Sequence, residues 1–215
     1  MAKETLAGVE LSHLDQPVFD DAGVTKGDLV RYLDAVHERI LPELRDRALS
    51  VVRARLGQAA FMQKNLPKYA PDWIRSTTVW ANASKREVRY PVCDDRRTLV
   101  WLANQRAVEY HPALMPVESH HQTHLILDLD PPDDIPPADG FSMAVAAALL
   151  VRQALADTGL AGGVKTSGAK GVHVFVPLTA DAEIPDVAAA TRTLTARAAR
   201  LDPSVATTEF VRDQR

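Results

Sequence analysis

Behind Thr25-Lys26-Gly27-Asp28, the apolar residues Leu29, Leu33, Val36, Ile40 and Leu44 recur at helical spacing. Threonine followed three places on by an acidic residue is a capping signature, so a helix is predicted to start there. Residues 49–55, LSVVRAR, read as a strand. FMQKNLPKYAPDWI (61–74), basic and broken by prolines, reads as a surface loop. VRYPVC is a short strand, after which Asp94-Asp95 open a helix carrying Leu99, Leu102 and Ala103. Further strands are predicted near 108–113 and 122–129. A helix runs from Gly140 to Thr158, with Val145, Leu149 and Leu155 inward and Gly159 as its stop. VKTS and VHVFVPL flank SGAKG as two strands joined by a glycine turn, an alanine-rich helix covers 184–199, and VATTEFV is a last strand. Strands and helices alternate without regular βαβ repetition, which predicts a mixed α/β (α+β) fold. No internal repeat and no linker divides the chain.

Composition adds bounds rather than detail. The 215 residues are enough for one domain, or a domain with a small lobe, and 46% hydrophobic with 25% charged residues is globular. No 18-residue apolar run is read as a bilayer span, and MAKETLAGVE lacks a secretory pattern. The single cysteine, Cys93, reads as a core residue and fits a reducing compartment, so a cytoplasmic protein without a membrane partner is expected. The net charge of -3 argues against a uniformly basic nucleic-acid binder, but the charge is segregated. Residues 31–100 hold 14 Lys/Arg against 8 Asp/Glu, and residues 101–150 hold 1 against 7. Basic surface next to an acidic patch suits a polyanion handled by metal-binding carboxylates.

The acidic stretch contains LILDLDPP (125–132), two carboxylates in an apolar strand. Residues i and i+2 of a strand share a face, so Asp128 and Asp130 project side by side with Leu127 and Leu129 packed behind. Such a pair repels unless a cation joins it, and hard oxygen ligands suit Mg²⁺ or Mn²⁺. Two ions about 4 Å apart can clamp both oxygens of an in-line phosphoryl displacement. A pair of aspartates capping a turn is the plainer alternative. A haloacid-dehalogenase-type phosphatase also uses D-x-D but expects Thr or Val where this chain has Pro132. The second motif is TSGAKGVH (166–173): Gly168 and Gly171 let backbone approach a phosphate, Ser167 adds a hydroxyl, Lys170 a charge, and His173 starts the returning strand. A simple hairpin with a lysine at its tip is the alternative there. His120, His121 and His124 lack a third ligand in pattern and read as histidines of a loop-to-strand junction rather than a zinc site.

LDLDP followed about 40 residues on by TSGAKGVH resembles the polymerase domain of bacterial non-homologous end-joining DNA ligases, a branch of the archaeo-eukaryotic primase superfamily. LSHLDQPVFDDAGVTKGDLVRYL, FMQKNLPKYAPDWI and WLANQRAVEYHPAL resemble further segments of that family, in order along essentially the whole chain. The resemblance implies a primase-polymerase core, a mixed, largely antiparallel sheet flanked by helices. Residues 1–100 would form its DNA- and template-binding part and residues 101–215 its metal- and nucleotide-binding part. It implies a nucleotidyltransferase of DNA repair, near the nucleoid, that extends DNA ends or fills short gaps with NTPs or dNTPs. Mn²⁺ (or Mg²⁺) is the implied cofactor, and a DNA ligase and the Ku end-binding protein are implied partners. Asp128 and Asp130 match the metal-binding aspartates, and His111 the family's histidine beside the metals. Ser167, Gly168, Lys170 and His173 match the triphosphate-holding turn. Lys26 and His13 match the grip on a 5′-phosphate across a gap, and Phe61 and Lys64 match residues lying along the template.

Three positions depart from the family. Gln16 stands where a Lys or Arg is usual in the 5′-phosphate pocket, so weaker end recognition is expected. Val52 stands where relatives carry a basic residue near the triphosphate, with Arg53 or Arg55 as substitutes, and Met62 replaces a second aromatic. The family's third metal-binding aspartate is expected beyond VATTEFVRDQR, Glu209 and Asp213 matching no motif. The reading is therefore of a domain incomplete at its C-terminus, with very weak or no catalysis expected. A non-catalytic DNA-end or nucleotide-binding module is the alternative function.

Overall fold

The capping pattern at Thr25 and the hairpin pattern around SGAKG both appear as expected in a computed structural model, which describes residues 4–19, 22–82, 85–179 and 182–208. In chain order the elements are β1 (Thr5–Leu6), β2 (Val9–Glu10), α1 (Lys26–Ala35), α2 (His37–Leu44), β3 (Arg47–Arg55), β4 (Gln58–Gln63), β5 (Ser76–Ala81), β6 (Arg86–Pro91) and α3 (Arg96–Asn104). Then follow β7 (Ala107–Pro116), β8 (His124–Leu129), α4 (Pro137–Ala156), β9 (Gly163–Thr166), β10 (Val172–Pro177) and α5 (Ile184–Leu201). The fold is mixed α/β, and every strand pairing among the described residues is antiparallel. It forms two compact units, Met1–Ser119 and His120–Arg215. The expected division at residues 100 and 101 would cut α3, whose residues 98–104 are buried in the first unit's core.

In the first unit the sheet β4-β3-β7 carries a core of Leu49 and Val51 against Leu99, Val100, Leu102 and Ala103 of α3 and Val30 and Leu33 of α1. Burial of such side chains contributes about 1.5–3 kcal/mol each. Cys93 is fully buried in this core, and burial pushes its thiol well above the usual range. The helix from Thr25 is interrupted at Val36 (φ -97°, ψ 8°), which caps both α1 and α2. The loop expected at 61–74 is in part strand: Phe61, Met62 and Gln63 end β4, and Leu66, Ala70 and Ile74 anchor the remainder in the core. Asn104 ties the end of α3 to the N-terminal segment, donating to the Glu10 carbonyl (3.1 Å) and accepting from Ser12 N–H (3.3 Å).

In the second unit β10 lies between β8 and β9. Leu125, Leu127, Val174 and Val176 pack on Val151, Ala154 and Leu155 of α4 and on Val187, Leu194 and Ala198 of α5. The buried stripe of α4 is Gly140, Ala144, Val151, Ala154 and Leu155; Val145 and Leu149, expected inward, are exposed because they lie one position off that stripe. Contrary to the sequence reading, α4 is long and apolar enough to cross a bilayer by length and composition alone. Its stripe is instead occupied by the sheet and α5. The expected last strand is not formed over 205–208, and residues 209–211 lie outside the described residues.

Candidate metal and nucleotide site

Antiparallel pairing of β8 with β10 sets His173 directly opposite Asp128. The alternation Leu125–Leu127 inward, Asp128 outward, follows from the period of two in a strand and the core behind it. His173 Nε2 stands 3.1 Å from Asp128 Oδ1, the imidazole half-buried and the carboxylate open to solvent. Asp130 follows one residue past the end of β8. Burial, and next the neighbouring Asp128 charge, push its carboxyl above the ordinary range; Asp133 adds to this, while His173 and Lys170 oppose it. The local crowding has an identifiable source in Gly171. A Cβ there would stand 2.5 Å from Asp130 Oδ1, 3.0 Å from the Leu129 carbonyl and 3.2 Å from Ser167 Oγ. Only a glycine lets Asp130 sit against the turn in this way.

The turn between β9 and β10 is closed by its own serine. Ser167 N–H donates to the Gly171 carbonyl (2.9 Å), and Ser167 Oγ accepts from the N–H groups of Gly171 (3.0 Å) and Ala169 (3.3 Å). Gly168 takes φ +98°, a backbone conformation that favours glycine. Two of the turn's amides therefore serve Ser167, which leaves the hydroxyl proton and the amides of Gly168 and Lys170 as donors. Lys170 does not project freely from the tip: its ammonium donates to the Pro132 carbonyl (2.6 Å) and lies 3.4 Å from Asp133 Oδ1. The LDLDPP segment and the glycine turn are thus one hydrogen-bonded structure.

The remaining candidates belong to the first unit. His111 lies on β7 with Nε2 3.0 Å from Glu109 Oε2, and is half exposed. Phe61 projects from β4, 53% exposed, with the Arg53 guanidinium 5.5 Å from its ring centroid; Lys64 follows on the surface. Lys26 is buried, its Nζ donating to the Ser12 carbonyl (2.5 Å) and Oγ (3.2 Å). Burial, then the charges of Arg106 and Arg53, lower its pKa to about 8. His13 sits nearby in sequence at φ +51°, accepting Gln16 N–H at its carbonyl. Arg106 donates to Gln16 Oε1.

Residues 25–215 match the sequence profile described as "LigD, primase-polymerase domain". The chain belongs to this family. It is 35% identical over 176 residues to the bifunctional non-homologous end joining protein LigD of Bacillus subtilis, covering 81% of this chain and 27% of that protein. It is 33% identical over 183 residues to the multifunctional non-homologous end joining protein LigD of Mycobacterium bovis, covering 79% of this chain and 23% of that one. The chain thus spans about a quarter of the length of the curated relatives it matches. The polymerase domain of Mycobacterium tuberculosis Ligase D, solved in complex with DNA, superposes with a TM-score of 0.83 at 27% identity, over 96% of this chain and 74% of that one.

Within this LigD primase-polymerase domain, the second unit brings Asp128, Asp130, Ser167, Lys170 and His173 together. Two carboxylates on one face, one of them open to solvent and oriented by an imidazole, fit a hard divalent cation that keeps water or substrate oxygens as its other ligands. Among the described residues no group of three or more His, Cys, Asp or Glu comes together as a metal site, and Glu209 and Asp213 lie outside those residues. His124 opens β8 with its ring edge-on to Phe175 and Nδ1 2.9 Å from Thr123 Oγ1. Val52 is half-buried opposite Met62, while Arg53 donates to the Gln105 carbonyl (2.6 Å) and to Gln63 Oε1 (2.7 Å). Arg106, which donates to Gln16 Oε1, was not singled out from the sequence. Its signal was present, since it is the one basic residue between positions 101 and 150.

Proposed function

We propose that this LigD primase-polymerase domain is a DNA-repair nucleotidyltransferase that extends DNA ends or fills short gaps from NTPs or dNTPs. One observation carries the reading: the Asp128/Asp130 pair is joined through His173, Gly171 and Lys170 to the glycine turn of a polymerase-family hairpin. Asp128 and Asp130 would hold Mn²⁺ or Mg²⁺, which when bound supplies a Lewis acid for the α-phosphate and the primer 3′-hydroxyl. His173 fixes the orientation of Asp128 and restrains the charge repulsion within the pair. The Ser167 hydroxyl and the amides of Gly168 and Lys170 would serve the triphosphate as donors, with the Lys170 charge beside them. Holding nucleophile and phosphate in line supplies much of the rate.

In the first unit Phe61 offers a stacking face and Lys64 a cation for single-stranded template. Lys26 and His13 take the 5′-phosphate side of a gap, and His111 is assigned a catalytic role by the family pattern. A DNA ligase and the Ku protein are the natural partners of such an activity. A second reading is a DNA-end-binding module without catalysis. Primer extension with Mn²⁺ on gapped and single-stranded-overhang DNA separates the two. Loss of nucleotide incorporation in Asp128→Ala/Asp130→Ala with DNA binding intact supports the enzyme. A wild-type protein that binds DNA without incorporation supports the module.

A further inference from the structure

Four cations of the first unit, Lys26, Arg53, Arg55 and Arg106, have no counter-charge among the described residues. Arg53, Arg55 and Arg106 line one small cavity of about 120 Å³. Arg106 and Arg53 are close enough to Lys26 to oppose its protonation, and Arg55 and Arg53 do the same to Arg106. None of the four is ion-paired among the described residues: the unit's ion pairs are Arg31–Asp28, Arg75 with Asp46 and Asp94, Arg96–Asp34 and His111–Glu109. Arg106 is the least satisfied. One terminal nitrogen donates to Gln16 Oε1, while Nε is buried with no hydrogen-bond partner. Its backbone is left-handed, φ +63°, at the turn from α3 to β7, where Asn or Gly is the ordinary choice. Like charges, a desolvated donor and an uncommon backbone conformation all weigh against an arginine here, and an anion relieves the first two.

We propose that Arg106, positioned by the Gln16 carboxamide, is a ligand for the terminal 5′-phosphate of the downstream strand and forms the anion pocket together with Lys26. This rests on the DNA-end reading of the first unit given above. A terminal phosphate monoester carries up to two charges and three free oxygens, against one and two for a phosphodiester. A pocket of several cations without a carboxylate therefore selects the chain end over the backbone. The first amides of α1 are already engaged, Lys26 N–H donating to the Gln16 carbonyl and Gly27 N–H to the Leu14 carbonyl, both at 2.8 Å. Side chains must hold the phosphate. Gln16 is then no loss of charge from the pocket. Its amide oxygen accepts from Arg106 where a lysine would repel it, so the positive charge has moved from position 16 to position 106.

The test is fluorescence anisotropy with two gapped duplexes that differ only in a 5′-phosphate or 5′-hydroxyl on the downstream strand. Wild type binds the phosphorylated duplex about tenfold or more tightly, the range of hydrogen bonds to charged groups. R106Q erases that preference, and its thermal melt reports that the variant is folded. R106K keeps part of the preference, Q16A loses part of it, and R106Q/Q16K regains it by returning the charge to position 16. If R106Q does not fold, R106K and Q16A decide. A preference that survives in R106Q, or a wild type that binds both duplexes equally, overturns the proposal and leaves the polymerase reading standing. A wild type that binds neither duplex takes down the DNA-end reading itself.

Discussion

Gly171→Ala is the sharpest single perturbation of the carboxylate pair. The new methyl would stand 2.5 Å from Asp130 Oδ1 and 3.0 Å from the Leu129 carbonyl, both inside ordinary contact distance. Asp130 can rotate away, but that removes it from Asp128; the Leu129 carbonyl belongs to the β8 backbone and yields only if the strand shifts. Overpacking of this kind costs about 1–3 kcal/mol. For a chain of this size that lowers Tm by roughly 2–10 °C. Displacement of Asp130 is expected to weaken Mn²⁺ binding about tenfold or more, as loss of a supporting group does in metal sites. Gly168→Ala is the control. Nothing lies within 4 Å of its Cβ, and its φ of +98° makes the penalty conformational, about 1–2 kcal/mol, without touching Asp130. Thermal melts followed by circular dichroism and Mn²⁺ titration by calorimetry read the two effects separately. Wild-type Mn²⁺ affinity in Gly171→Ala, or an equal loss in Gly168→Ala, would refute the reasoning.

Two further outcomes concern the first unit. Lys26, held at about 8 against 10.5 in an unfolded chain, leaves the folded state with fewer bound protons between those values. Stability therefore rises with pH across that window, and below it the buried ammonium is a cost. Chemical denaturation of K26M should show a gain of about 1–3 kcal/mol at pH 7 and no such rise; a curve parallel to wild type would contradict the assignment. Phe61→Ala should weaken single-stranded template binding by about 1–3 kcal/mol while changing stability by no more than about 1 kcal/mol, because the ring is half exposed and its one notable contact is Arg53. An unchanged affinity for an overhang substrate would remove Phe61 from the template path.

The sequence made the hairpin legible because its signals are local. Thr25 with Asp28, Asp95 before α3, and the glycines between β9 and β10 each fix a boundary through hydrogen bonds only a few residues apart. Asp128 and Asp130 were legible for the same reason, through the alternation of a strand with one buried face. What failed was phase and partnership. The apolar residues of α4 surround enough of the helix that composition could not say whether Ala144 or Val145 is the buried one. The tie from Lys170 to Pro132 and the docking of Arg106 on Gln16 join residues 38 and 90 positions apart, for which a single sequence has no local signal. Gln16 alone looked like a missing charge; with its partner in view it is part of an anion pocket.

That distinction changes what the charge segregation means. An excess of cations over residues 31–100 suggested a basic face, but many of those cations are engaged internally. Arg75 bridges Asp46 and Asp94, and Arg96 holds both oxygens of Asp34, tying α3 to α1. Each of these pairs offsets its own charge and, being exposed to solvent, adds little to stability. Lys26, Arg53, Arg55 and Arg106 are the opposite case: among the described residues they are without ion pairs, Arg53 and Arg106 oppose the charge of Lys26, Arg53 and Arg55 oppose that of Arg106, and Lys26 is buried while Arg55 is exposed. A chain gains nothing for folding from such an arrangement, and replacing one member should raise stability while lowering anion affinity. The cation count over residues 31–100 took in Arg53 and Arg55 but neither Lys26 nor Arg106, so it is the lack of carboxylate partners among the described residues that separates the proposed binding cations from the structural ones.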